Sequence, residues 1–447
     1  MINSDSRTFH YPDGNIQRVQ RVSFDSWQDL EFLIPEYSQR SFQGLVGLYR
    51  DFFMPRLSLI EGRVVLFRVP EDLMLPVSFL RQEDEIFYDR TAALVSMFRK
   101  NVSFKRKKLS FSDRDTEEIY RQLKQRGCLY ELDGKRSSIR FLPAGDTMGY
   151  LSENSINASL KLNASFFLFD RLDCPSVYDK IGIPFGLCVK NGKILLPPLF
   201  EREVLTVDKE GRVSVSRISL KEIGVEIDGR LYQDGSNSRF FSRPQRSKTP
   251  AGICDIVIEG NRVVAVRKGG RTTIPSAGFV IQTEHMINEI QNKKVLFHDL
   301  EDIAFAIQAG NSAIVNGRKT ERFISPFYHF LRPWAVSFPP AMYPLNYKKD
   351  RAPRMVLGAD KENRPVLLWL EGAGKFGHVK GEGSCGASLS ETADICKKLG
   401  LYHAVHLDGG GSAQILINNQ RQLMISDRDP ENFQEKERAV AMGLYIK

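Results

Sequence analysis

The stretch HAVHLDGGGSAQILI (residues 403–417) decides how this chain is read. An apolar run, Ala404 to Leu407, delivers Asp408 into three glycines and Ser412, and a second apolar run, Ile415 to Ile417, follows at once. Both runs read as short strands. The glycines between them need a reason, because Gly loses more backbone freedom on folding than any other residue. A tight positive-φ connection between strands is one reason. The other is a cradle whose backbone N–H groups face an anion, kept free of side chains so that a phosphate or sugar comes close. Asp408 sits at a strand end, where a carboxylate is awkward as core, and Ser412 adds a short hydroxyl, so the ligand loop is favoured. A Walker A loop is excluded because no G-K-[ST] follows, and a dinucleotide fingerprint because the next element reads as strand.

Immediately upstream, SLSETADICKKLG (388–400) predicts a helix. Ser388 and Glu391 form a capping box, Leu389, Ala393 and Cys396 share one face, and Gly400 supplies the stop. From about Tyr150 onward the chain reads as short strands separated by turns. Asn191-Gly192 in 186–196 and Gly260-Asn261 in 254–269 predict hairpins. Before Tyr150 the spacing predicts a strand in 63–69, helices over 88–100 and 113–126, and a hairpin at Asp133-Gly134. The expected organisation is an N-terminal α+β accessory domain, 1–150, and a catalytic domain, 151–447. The expected fold class is α+β, with mixed β-sheets and flanking helices in the C-terminal domain.

The 447 residues carry a formal charge of +9, but the first 150 have 23 basic and 21 acidic residues, so the excess is diffuse. Such a spread suits an anionic small substrate better than a nucleic-acid stripe. The dense basic run at Arg99, Lys100, Lys105, Arg106, Lys107 and Lys108 is open to a phosphate-binding reading, and the balanced charge around it favours a solvated loop or helix end. The polar N-terminus has no apolar signal region and no apolar stretch is long enough to span a bilayer, so a cytoplasmic location is expected. Six dispersed cysteines with no C-x-x-C pair read as reduced thiols. No cofactor is called for. His403 and His406, three apart on a strand, point to opposite faces, which disfavours a shared metal.

In order along the chain, several segments resemble the phosphodiester glycosidase family. LDGGGS behind its capped helix, and ERAVAMGLYI (437–446) after it, carry the most characteristic part. LNASFF (162–167), IPFGLCVKNGKIL (183–195), AFAIQAGNSAIVNGR (304–318) and RAPRMVLGADKENRPVLLWLEG (351–372) are similar to the family's earlier segments. The likeness spans roughly 160–447. It implies hydrolysis of a glycosyl-1-phosphodiester at the sugar C–O bond, and an anionic sugar-phosphate or glycan substrate. Carried onto matching positions, it implies site residues Asn163, Gln308, Arg354, Asp408, Gly409, Gly410, Gly411, Ser412 and Arg438.

Chemically, Arg354 and the glycine amides would hold the phosphate. Asp408 would activate water or stabilise positive charge at the anomeric carbon, with Glu371 as the candidate second carboxylate. Asn163 and Gln308 would bond sugar hydroxyls. The pattern departs from the family at Met355 (usually Thr), Ala413 (commonly Ser or Thr), Asn311 (usually Pro), His406 (Asn) and Glu371-Gly372-Ala373 (Asp-Gly-Arg). Each residue also has a plainer reading. Arg354 and Arg438 are open to ordinary ion pairing, Glu371 to a solvated turn, Gln308 to an exposed turn, and Asn163 to anchoring a strand end. The alternative function is a non-catalytic binder of anionic glycan or nucleic acid on the same fold. A weaker one is a phosphodiesterase that leaves the glycosidic bond intact.

Overall fold

The structure is a computed structural model. It describes residues 2–33, 150–168, 182–199, 202–235, 237–243, 246–287, 289–308, 310–320, 351–372, 380–428 and 434–447, residues 176, 178 and 179, and short pieces between 64 and 132.

A seven-stranded sheet carries the opening stretch. Its order is Ile2–His10, Ile16–Phe24, Pro365–Leu370, Arg354–Ala359, His403–His406, Ser312–Val315, Arg318–Lys319. Every ladder in it is antiparallel. Its central strands are apolar on both sides because both sides are covered. Met355, Leu357, Ala359, Leu367, Trp369, Val405 and Leu407 face the main core. The alternate residues Val356, Val366, Leu368, Leu370 and Ala404 pack with Ala393, Ile395 and Cys396 of the helix Leu389–Lys398. That helix starts at the capping box read from the sequence: Ser388 accepts from the Glu391 N–H, and Glu391 accepts from the Ser388 N–H.

A five-stranded antiparallel sheet lies next along the chain from the glycines, in the order Gln420–Arg421, Ile415–Ile417, Leu160–Asn163, Gly443–Ile446, Glu31–Leu33. Both predicted hairpins form, Cys188–Lys190 with Lys193–Leu196 and Ala251–Glu259 with Arg262–Gly270. Asn191 and Gly192 both have positive φ, 50° and 75°, as a tight primed turn requires.

The expected α+β class with mixed sheets and flanking helices is overturned. The protein is mostly β, and among the described residues the α-helices are Arg114–Gln125 and Leu389–Lys398. Part of the reason is connection length: turns of a few residues join the strands of each hairpin antiparallel, whereas parallel neighbours would need crossover helices. Residues 2–33, read with the N-terminal unit, supply strands to both sheets: Ile16–Phe24 pairs with Pro365–Leu370, and Glu31–Leu33 with Gly443–Ile446. Beyond them, Val64–Phe67 is a strand and Val102–Lys105 pairs with Lys108–Phe111. The predicted helix 88–100 (Met97 apart), Arg106, Lys107 and the Asp133-Gly134 hairpin lie outside the described residues.

Candidate active site

The glycine loop is the passage from the seven-stranded sheet to the five-stranded one, and the protein itself occupies the space that side chains would need. Gly410 has φ +57° and donates its N–H to the Pro353 carbonyl at 2.9 Å. A Cβ on Gly409 would meet that same carbonyl at 2.8 Å, with the Arg354 Cα at 3.6 Å. A Cβ on Gly411 would strike the Asp427 carboxylate and the Arg438 guanidinium. Those two groups form a two-pronged ion pair, Nε to Oδ2 at 2.8 Å and Nη2 to Oδ1 at 3.0 Å. The Ser412 and Ala413 N–H groups close back onto Gly409 and Gly410. The loop is thus a tight turn held from within, and its Gly410 amide is already engaged.

Asn163 fixes the loop from below. Its amide N–H donates to the Asp408 carbonyl at 2.5 Å, its oxygen accepts the Gln414 N–H at 3.1 Å, and the neighbouring Ala164 carbonyl accepts the Asp408 N–H at 2.9 Å. Asn163 therefore ties both ends of the turn to the strand Leu160–Asn163.

Asp408, partly exposed, is the one acid of this turn whose proton is held unusually tightly. Burial of its carboxyl pushes the pKa up to about 7, and Asp427 nearby adds to that. Ser412, Arg438 and the Gly409 N–H pull the other way without cancelling it. The Ser412 hydroxyl is buried and makes no hydrogen bond of good geometry among the described residues, yet lies close enough to stabilise the carboxylate.

Across the ladder, Val356 lies opposite His406, and the Leu407 N–H donates to the Met355 carbonyl at 2.9 Å. Arg354 and Asp408 therefore leave adjacent strands side by side. Arg354 is buried, and its Nε donates to the Ala387 carbonyl, just ahead of the helix N-cap, at 2.9 Å. His406 is 4% exposed, and neither ring nitrogen has a hydrogen-bond partner among the described residues. Burial, with the Arg354 charge adding to it, lowers its pKa to about 3, so the ring is neutral. His403 pairs with Ala359, on the core side, so the two histidines do lie on opposite faces. Among the described residues no group of three or more His, Cys, Asp or Glu side chains could hold a metal.

Two expected site residues turn out to be tied elsewhere. Gln308 is fully buried, accepts the Leu187 and Leu199 N–H groups at 3.2 and 2.9 Å, and donates to the Arg202 carbonyl at 3.4 Å. Glu371 is buried, with one oxygen taking the Ser384 hydroxyl at 2.6 Å and the other the Met424 N–H at 2.9 Å. Arg18 stands 3.6 Å from it. Both side chains hold segments together, and neither is the exposed turn residue of its plainer reading. Asp427 escaped the sequence reading. Eleven residues before Arg438, in a polar run, it carries no spacing signal, and only the steric need at Gly411 would have pointed to a bulky partner.

Comparison with known proteins adds the family. No curated protein matches the chain in sequence. Among solved structures, a hypothetical protein from Synechocystis aligns over all of this chain and 62% of its own length, at 14% identity and a TM-score of 0.41. The catalytic domain of zebrafish N-acetylglucosamine-1-phosphodiester alpha-N-acetylglucosaminidase, auto-inhibited by its pro-peptide, aligns over all of this chain and 82% of its own length, at 11% identity and a TM-score of 0.39. The family model described as phosphodiester glycosidase matches residues 235–447, which include the ladder, the glycine turn and the Asp427–Arg438 pair. In its C-terminal half the chain is therefore similar to the phosphodiester glycosidases, as its sequence motifs indicate.

Proposed function

We propose that the protein hydrolyses a glycosyl-1-phosphodiester, cleaving the bond between the anomeric carbon and the phosphate oxygen, with Asp408 as the working carboxylate. One observation carries this reading: Asp408 leaves an apolar strand into a turn rigidified from both ends, with a pKa of about 7. A carboxyl titrating there is poised to exchange a proton near neutral pH, which a carboxylate in its ordinary range is not.

The leaving phosphodiester is itself a weak base, so it departs without strong protonation. The chemical need is at the sugar, where the ionised Asp408 takes a proton from attacking water or stabilises developing positive charge. Ser412 and Arg438 favour that ionised form. Arg354, in place on the adjoining strand end, supplies positive charge for the phosphate. The Gly410 N–H is bonded to the Pro353 carbonyl, so in this reading Arg354 carries the phosphate.

Hydrolysis of a panel of sugar-1-phosphodiesters, read by released sugar, tests the reading. Asp408→Asn and Arg354→Ala are each expected to lower kcat/KM by about a thousandfold or more with the fold intact. Undiminished turnover in both would overturn the mechanism. In oxygen-18 water the label is expected in the sugar. Label in the phosphate would mean P–O cleavage, and binding without turnover would mean a non-catalytic glycan-phosphate binder.

A further inference from the structure

Three ionisable side chains share the glycine turn, Asp408, Arg438 and Asp427, and Asp427 has no role in the chemistry so far. It pairs two-pronged with Arg438, and the pair fills the space that a Gly411 side chain would need. The arms that carry the two residues are tied together. The Lys436 N–H donates to the Asp427 carbonyl at 3.0 Å, Arg428 and Glu435 form an antiparallel bridge, and the Gln414 amide reaches the Arg438 carbonyl at 3.5 Å. The Arg438 side chain is 11% exposed and that of Asp427 32%, so water and salt screen the pair less than a surface ion pair.

Arginine presents its donors as a planar fork that matches one carboxylate at a time. Arg438 has two acids near it. Its Nε and Nη2 face Asp427, and it acts on Asp408 through its charge. A fork turned onto Asp408 would hold that carboxylate in an ion pair and make it a poor acceptor for a proton from water. The other charged or titratable groups around Asp408 do not do Asp427's work. Arg354, on the adjoining strand, donates to the Ala387 carbonyl, the buried His406 ring is neutral, and Glu371 is engaged by Ser384 and Met424. On the arms themselves, Arg428 donates to the Ile425 carbonyl and Glu435 accepts the Ile425 N–H.

We propose that Asp427 is a positioning residue that holds the Arg438 fork off Asp408, so that Asp408 has a positive charge nearby without being locked in an ion pair. This rests on the proposed role of Asp408 and adds how the turn keeps that carboxylate open to water. Gly411 belongs to the same device, because the restraining pair needs the room its missing side chain leaves.

The test is a double-mutant cycle on the full chain, read by the pH–rate midpoint on the sugar-1-phosphodiester turned over fastest in the panel above. Asp427→Ala is expected to move the midpoint down by about 1–2 pH units and to lower the high-pH plateau about tenfold. In an Arg438→Ala background the same change is expected to move it by less than about half a pH unit, because no fork is left to release. An equal downward shift in both backgrounds would mean that Asp427 acts by its own charge alone. An unmoved or raised midpoint would mean a merely structural role, and either result overturns the proposal. Asp427→Asn, which keeps the side-chain shape, carries the same cycle with the same signs where Asp427→Ala fails to fold. A readout independent of turnover is the carboxyl signal of Asp408 in carbon-13-labelled protein, identified by its loss in Asp408→Asn. Its titration is expected to move down in Asp427→Ala and to return to about 7 or above when Arg438 is replaced as well. An Asp408 titration indifferent to Asp427 sinks the inference whether or not any diester is hydrolysed. No hydrolysis across the panel, with the titrations as expected, removes the functional reading and leaves the restraint on Arg438 standing.

Discussion

Glu371 and Asp408 occupy matching places in the seven-stranded sheet. Each is an acid just past an apolar strand, Pro365–Leu370 in one case and His403–His406 in the other, and each leads into glycine. Their surroundings separate them. Around Glu371 the chain supplies a hydroxyl, a backbone N–H and an arginine, so both oxygens are engaged. Around Asp408 it supplies burial, a weakly placed hydroxyl, the Gly409 N–H and an arginine already shared with Asp427. The engaged oxygens make Glu371 a structural tie, whereas at Asp408 burial outweighs the donors and holds the proton up to neutral pH.

The largest effects should fall along this divide. Asp408→Asn should remove hydrolysis and leave the protein folded, as above. Glu371→Ala should do the reverse. It strands the Ser384 hydroxyl and Met424 N–H, costing about 2–4 kcal/mol of stability by denaturant unfolding. Below the melting range its kcat should stay within about threefold of wild type. If Glu371→Gln, which keeps an acceptor for Met424, abolished turnover without loss of stability, Glu371 would be the second carboxylate after all.

How much of this was legible beforehand follows the same divide. The capped helix, the two hairpins and the strands around the glycines were readable because their signals are local: a Ser-x-x-Glu box, an Asn-Gly and a Gly-Asn turn, apolar alternation. Sheet partnership was not. Nothing local in Ile16–Phe24 says that it pairs with Pro365–Leu370 more than three hundred residues later. Side-chain hydrogen-bond partners were not legible for the same reason. Gln308 and Glu371 look available in sequence and are spent on distant N–H groups, while Asp427 looks idle and abuts Gly411.

Gly411 sharpens the comparison from the other side. Its missing side chain is what admits the Asp427–Arg438 pair beside Asp408. Gly411→Ala should push that pair away and withdraw the positive charge that favours ionised Asp408. The expected result is a stability loss of about 1–3 kcal/mol, typical of overpacking, with the pH–rate midpoint moved upward. An Ala variant with unchanged stability and midpoint would mean the loop yields freely.

The smallest effect is a pH dependence set by Asp408. Asp408 titrates at about 7 in the folded protein, against an ordinary value of 3.8. Between those values the folded state holds a proton that the unfolded chain has released. Stability therefore falls as pH rises from about 4 to about 7 and levels off above. Asp408→Asn removes this term, so it should match wild type in Tm near pH 4 and exceed it by a few degrees at pH 8. Because Asp408 is partly exposed, the gain should be on the order of 2 kcal/mol or less. Over the same window kcat/KM of the wild type should rise with a midpoint about 7, since the ionised form does the chemistry. Stability and activity then move in opposite directions on one proton. A rate that falls through pH 7 would instead make Asp408 the acid, and a Tm difference independent of pH would detach the shifted titration from Asp408.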